Sequence, residues 1–122
     1  MDFRSPCPVA SALDIFGDRW TLVVLRTIFA GRTRYGDILK MPEKISTSIL
    51  ANRLALLERE GLISSIAYQQ NPVRFDYRLT AKGADLLPVL QAMAAWAVSY
   101  IPGRWAMPDW FANSEPSKFH PL

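Results

Sequence analysis

The segment from Ser46 to Ile63 leaves little choice of local structure. Three hydroxyl residues, Ser46, Thr47 and Ser48, open it, a composition favoured at helix N-caps. Gly61 closes it, and glycine tolerates the left-handed conformation that ends many helices. Wound at about 100° per residue, Leu50, Leu54 and Leu57 share one face, while Ser48, Asn52, Ala55 and Arg59 share the opposite one. The first face needs a core. The second is small, polar and mildly basic, so it can enter a groove and offer hydrogen bonds to base edges. The pattern predicts a helix over 46–60, packed on one side and presented to DNA on the other.

Its flanks complete a helix-turn-helix. Pro8 to Phe16 reads as a short helix with Cys7 near its N-cap and Pro8 at the first helical position. Asp18 to Ala30 reads as a second, with Trp20, Val23, Val24 and Ile28 inward and Gly31 as its stop. Thr33 can cap a third over 34–40, and Met41 to Ile45 is a short turn before the 46–60 helix. Leu62 to Tyr68 and Arg74 to Leu79 are rich in β-branched and aromatic residues and flank the polar tip Gln69-Gln70-Asn71-Pro72. They predict a two-stranded hairpin, the wing, over 62–79. The fold class expected is mainly α with a small β-hairpin, a winged helix-turn-helix.

Thr80 is placed to cap a long final helix over 81–101, with Pro88 inside it demanding a kink or a restart. The apolar residues of that helix, including Leu90, Met93, Trp96, Ala97 and Tyr100, cover an arc of about 200° at 3.6 residues per turn. A helix on a small domain needs an apolar stripe nearer 100°. The surplus calls for a partner. One is the same helix of a second subunit about a two-fold axis, with Leu90, Met93, Trp96, Ala97 and Tyr100 at the interface. The other is the Pro-rich segment carrying Trp105, Trp110 and Phe111, folded back over it.

With 122 residues, half of them hydrophobic, the chain is expected to form one domain over 1–101, followed by a Pro/aromatic-rich tail over 102–122. The formal charge of +3 is modest, but nine basic and five acidic residues lie between Gly31 and Lys82, against five and six elsewhere. The positive excess surrounds the groove-facing helix, where phosphate neutralisation needs it. Met1-Asp2-Phe3-Arg4 lacks a basic start followed by an apolar run, so no signal peptide is expected. The apolar stretch from Trp20 to Ala30 is too short to span a bilayer and contains Arg26. One cysteine cannot close an intrachain disulfide, which fits a cytoplasmic protein without membrane partners.

Base readout is assigned to Thr47, Ser48 and Asn52, since Asn can pair bidentately with adenine and hydroxyls serve several base edges. Ser46 is expected to cap, with the helix start holding a phosphate through its free amides. Arg32 and Arg34 precede the first helix of the motif, which crosses the DNA backbone in such folds, and at least one should meet phosphate. Arg53 lies about 60° from the centre of the leucine face. A structural role, with its stem on the core and its head on a phosphate or a carboxylate, stands equal beside base contact. Arg59 faces the groove side late in the helix, a place for phosphate or solvent. Arg74 is the wing's candidate for the minor groove or its phosphates, with Gln69, Gln70 and Asn71 as polar support. Asp76 should repel phosphate and orient a neighbouring arginine.

The order Cys7-Pro8-Val9, Phe16-Gly17-Asp18-Arg19-Trp20-Thr21-Leu22, Gly31-Arg32-Thr33-Arg34-Tyr35-Gly36-Asp37-Ile38, Ile45-Ser46, Arg53-Leu54, Gly61-Leu62-Ile63, Tyr77-Arg78-Leu79-Thr80, Leu86-Leu87-Pro88-Val89-Leu90 and Trp96 resembles the HxlR-type winged helix-turn-helix regulators of bacteria and archaea. The resemblance runs from about Cys7 to Ile101. It implies a homodimeric, DNA-binding transcriptional regulator whose subunits pair through N- and C-terminal helices. It also implies a role for Cys7, since some such regulators use the equivalent cysteine to sense oxidants or electrophiles. A helix N-terminus with Arg4 nearby suits a thiolate. Oxidation without a second cysteine in the chain gives an intersubunit disulfide, a mixed disulfide or a sulfenic acid. The alternative is a small inert side chain seating the first helix.

Other classes fit less well. His120, the sole histidine, lies in a tail expected to be mobile, so a Cys7–His120 dyad lacks a frame and a third group. One Cys and one His cannot fill a metal site, and no glycine-rich phosphate loop is present. No enzyme activity, cofactor or metal is expected. The serious rival is a winged-helix protein–protein docking module. A further variant is a ligand-gated repressor, with Trp20, Trp96, Tyr100, Trp105 and Trp110 around a small-molecule effector at the dimer interface.

Overall fold

Helix α2 (Thr21–Phe29) is the centre of the core, and Asp18 starts it. The Asp18 carboxylate accepts from the Trp20 and Thr21 amides and from the Thr21 hydroxyl. These bonds satisfy donors that a helix start leaves open, so the helix begins after Asp18 rather than at it. Leu22, Val24, Leu25, Ile28 and Phe29 are buried. Trp20 and Val23, expected inward, are only partly covered. Surrounded by other elements, α2 buries most of its circumference, and a single apolar stripe does not describe it.

A computed structural model describes residues 2–121. Helix α1 (Pro8–Phe16) precedes α2, and α3 (Tyr35–Leu39), α4 (Thr47–Arg59), β1 (Ile63–Gln70) and β2 (Val73–Leu79) follow it. The chain then forms α5 (Ala81–Ala84), α6 (Leu87–Tyr100), α7 (Asp109–Ala112) and a 3₁₀ turn (Pro116–Phe119). Leu50, Leu54 and Leu57 of α4 join α2, Ile38, Met41 and Ile45 in one core. Each leucine so buried contributes roughly 1.5–3 kcal/mol.

The transition from α4 to the wing is a Schellman turn. Gly61 takes φ +74°, its amide bonds the Glu58 carbonyl, and the Leu62 amide reaches back to Leu57. The strands are antiparallel, with Ile63 opposite Leu79 and Gln70 opposite Val73. Both strands run further than the sequence indicates: Gln69 and Gln70 are strand residues, and only Asn71 and Pro72 form the tip. The register slips between Ala67 and Gln69, leaving Tyr68 as the extra residue of a bulge. A third segment joins the hairpin: the Tyr77 amide donates to the Thr33 carbonyl, and Arg34 bridges Asp76.

The helical stretch expected over 81–101 restarts near Pro88, as that proline demands, and divides in two. Thr80 Oγ1 accepts from the Gly83 amide and caps α5, which stops at Asp85. Helix α6 restarts with Pro88 in its first turn, where a missing N–H costs no hydrogen bond. The segment after residue 102 folds back onto the core. Phe111 is buried to 7% exposure, and Phe119 packs edge-on against Phe29 at 5.0 Å. The Gln91 amide donates to the Phe111 and Ser114 carbonyls. His120, expected in a mobile tail, lies 2.7 Å from Asp85.

Candidate nucleic-acid interface

Helix α4 presents the polar face that its periodicity implies. Thr47, Ser48 and Asn52 are exposed, as are Ala51, Ala55 and Arg59 along the same outer surface. Ser46 Oγ accepts from the Ile49 amide at 3.2 Å, the expected cap. The Tyr35 hydroxyl donates to the Thr47 carbonyl at 3.0 Å and ties α3 to the start of α4. This contact was not legible in the sequence, because it joins two elements whose crossing only the packing sets.

The basic residues divide into two groups. Arg32, Arg59 and Arg74 are exposed and make no ion pair among the described residues. Lys44, missed in the sequence reading, belongs with them. It is exposed in the turn before α4, at φ +60°. Its position next to three hydroxyl residues was the available signal.

Arg34 and Arg53, both candidates for phosphate contact, are engaged inside the molecule. Arg34 Nε donates to Asp76 Oδ1 at 3.1 Å, and its guanidinium stacks 3.7 Å from the centre of the Tyr68 ring. It therefore pins the wing to the start of α3. Arg53 Nε lies 2.9 Å from Asp18 Oδ2. Its N–H is not aimed at that oxygen, so the contact is an ion pair without a well-formed hydrogen bond. Arg53 Nη1 donates to Asn52 Oδ1 at 3.2 Å. The carboxylate alternative for Arg53 is the one the fold adopts, and it orients the neighbouring Asn52. A bidentate pair that sequence reading missed, Arg26 with Glu43 at 2.8 and 2.9 Å, fixes the turn between α3 and α4 against α2.

The carboxylates of these pairs are tuned for charge. Burial pushes the Asp76 carboxyl up, but hydrogen bonds from Arg34 and Thr33 and the charges of Arg34 and Arg78 outweigh it and hold it below its ordinary value. The same balance holds Asp18 low: burial opposes, while the Thr21 hydroxyl, two backbone amides and Arg53 prevail. Hydrogen bonds from Arg26 lower Glu43.

On α6, Met93, Trp96 and Tyr100 form an exposed stripe, with Trp96 at 61% and Tyr100 at 73% exposure. Their rings, 5.6 Å apart, lie against each other. Leu90 does not belong to this stripe. It is 7% exposed and packs into the core, because α6 turns that side toward α2 and α7. Ala97 is half-buried beside the same inner side. Cys7 is exposed at the start of α1. Arg4, expected to favour its thiolate, instead gives both its guanidinium and its backbone amide to Asp14.

A helix-turn-helix, a hairpin wing and a polar outer face on the second helix define a winged-helix domain. Comparison with known proteins agrees: the chain belongs to the HxlR-like helix-turn-helix family, whose model matches residues 15–104. It is similar to the HTH-type transcriptional regulator YdeP of Bacillus subtilis, 36% identical over 99 residues, covering 81% of this chain and 77% of YdeP. A regulator of Synechocystis is 39% identical over 87 residues, 71% of this chain. The match spans 64% of the Synechocystis protein's length and 59% of that of a Mycobacterium tuberculosis relative. Among solved structures, the transcription factor PA1607 superposes with a TM-score of 0.74 at 34% identity, over 85% of this chain and 73% of PA1607. The reduced form of the B. subtilis transcriptional regulator YodB gives 0.65 at 31% identity, over 83% of this chain and all of YodB. The redox regulator HypR in its reduced form gives 0.66 at 29%, over 76% of this chain and 92% of HypR. These relatives are transcription regulators, not enzymes. No helix among the described residues is long and apolar enough to cross a membrane.

Proposed function

We propose that the chain is a homodimeric, sequence-specific DNA-binding regulator acting on a palindromic operator. The observation that carries this reading is the exposed outer face of α4, where Thr47, Ser48 and Asn52 lie free of the core, with Lys44 and Arg59 nearby in the chain lacking an ion partner among the described residues. In this reading α4 enters the major groove, and those three residues read base edges. Arg32, Lys44, Arg59 and the N-terminal amides of α4 at Ser46 hold phosphates. Arg74 carries the wing along the adjacent minor groove. Arg34 and Arg53 act from behind, one fixing the wing and the other Asn52. The α6 stripe pairs two copies, and the two recognition helices meet half-sites about 34 Å apart or a multiple of that.

The test is a fluorescence-anisotropy titration with DNA from upstream of the chain's own gene and with scrambled DNA, at several salt concentrations. Saturable binding that prefers the first DNA and weakens steeply with salt is expected. Equal, weak binding to both across a set of upstream fragments would favour the protein-docking reading.

A second reading, redox control through Cys7, is favoured by the exposure of its thiol and by the similarity to YodB and HypR. Repeating the titration after diamide treatment tests it. A changed affinity in the wild type that is absent from Cys7→Ser supports the switch, and unchanged affinity rejects it.

A further inference from the structure

Helices α2 and α6 and the segment after residue 102 enclose an apolar groove of about 840 Å³. Val23 of α2 and the small side chains Ala94 and Ala97 of α6 form its inner wall. Trp105, Met107 and Trp110 form the outer wall, which lies beyond the segment shared with the family. Met41 and Pro42 of the helix-turn-helix turn also line it. The volume is that of a small-molecule site. Of the five aromatic residues expected around an effector, only Trp105 and Trp110 line it.

Its charge is one-sided. Three cations, Arg26, Arg32 and Lys40, border the groove, and no carboxylate among the described residues does. Glu43 neutralises Arg26. Arg32 has no ion partner among the described residues, and Lys40 has only a loose contact with Asp37 at 3.9 Å. An apolar cleft lined in part by unneutralised cations selects an apolar body carrying an anionic head.

We propose that this groove binds a small apolar monocarboxylate, its aromatic or alkyl body between α6 and Trp105–Trp110 and its carboxylate at Arg32 and Lys40. Bound there, the ligand touches the helix-turn-helix turn and neutralises two cations flanking α3. DNA affinity therefore falls when it binds. Only this regulatory consequence rests on the DNA-binding reading; occupancy of the groove does not.

The experiment is calorimetric titration of the full chain with 2-naphthoate and decanoate, and with their neutral counterparts 2-naphthamide and decanol. The carboxylates should bind saturably, one per chain, and about tenfold or more tighter than the neutral probes. Arg32→Gln combined with Lys40→Gln should erase that preference while sparing the neutral probes, and Ala94→Phe should block all four. Absence of saturable binding by any probe overturns the proposal, as does a carboxylate preference that survives the double substitution. If Ala94→Phe fails to fold, the double substitution, confined to exposed side chains, decides alone. If the wild type binds no probe and Ala94→Phe breaks a dimer in sedimentation velocity, the groove is occupied by a second copy and the proposal falls. Anisotropy with and without saturating 2-naphthoate separates the two readings. Unchanged DNA affinity at saturation overturns the regulatory consequence. Ligand binding without any DNA binding leaves the site standing and removes the DNA-binding reading.

Discussion

Asn52 shows how a single residue's role depends on its neighbour. Its carboxamide oxygen is held by Arg53, which is itself held by Asp18, so the group that would read a base is preset by two residues that would not. Asn52→Ala should weaken specific binding by about 1–3 kcal/mol and relax the sequence preference. Arg74→Ala should weaken binding to all sequences alike and lower the salt slope by about one. Anisotropy titrations against operator and scrambled DNA over a salt series distinguish the two patterns. The low carboxyls of Asp18, Glu43 and Asp76 also predict a pH dependence. A carboxyl held lower in the folded than in the unfolded chain adds stability above its unfolded value, and that stability is lost as pH falls through the folded one. Melting temperature should therefore hold near neutrality and drop below about pH 4, where free carboxylates titrate. Asp76→Asn should flatten that acid limb in thermal melts recorded from pH 3 to 7.

The elements are joined by contacts that tolerate little change. Gly83 shows this most sharply: a Cβ there would lie 1.9 Å from the Leu62 carbonyl oxygen. The start of the wing thus presses directly on α5, and only glycine allows it. Gly83→Ala must push α5 away from β1, and the melting temperature should fall by on the order of 10 °C. Retention of wild-type melting would show that the two elements part easily. The same junction is held by Thr80, which caps α5 while its own amide bonds the Leu62 carbonyl. Wing and α6 are therefore set relative to one another through one short helix. Further along the wing, Arg34 clamps the hairpin to the start of α3 through Asp76 and Tyr68.

At the scale of the whole molecule, the surplus apolar surface of α6 has two destinations. Its Leu90 side meets α2 and the folded-back tail, Met93 lines the groove, and its Trp96 and Tyr100 side stays open. Both partners foreseen for this helix thus have a face available, the tail on one side and a second copy on the other. In the proposed homodimer, replacing Trp96 and Tyr100 together by alanine should shift sedimentation velocity from dimer to monomer, with little effect on the fold of the protomer, because both side chains are exposed within it. A double variant that remains dimeric would place the interface elsewhere.

Local periodicity, caps and turn residues determined the helices of the helix-turn-helix, the hairpin and the outer face of α4, because those depend on residues close along the chain. Ser46, Gly61, Thr80 and Pro88 act where they stand, through their own backbone requirements. The family could be read for the same reason, since its motifs are strings of such local requirements. Tertiary structure decided the rest. It engaged Arg34 with Asp76 and Arg53 with Asp18, sent Leu90 into the core, docked residues 109–120 and opened the groove. Each of these joins groups distant in sequence. An arginine's long side chain reaches whichever carboxylate the packing brings near, and no spacing along the chain records which one that will be.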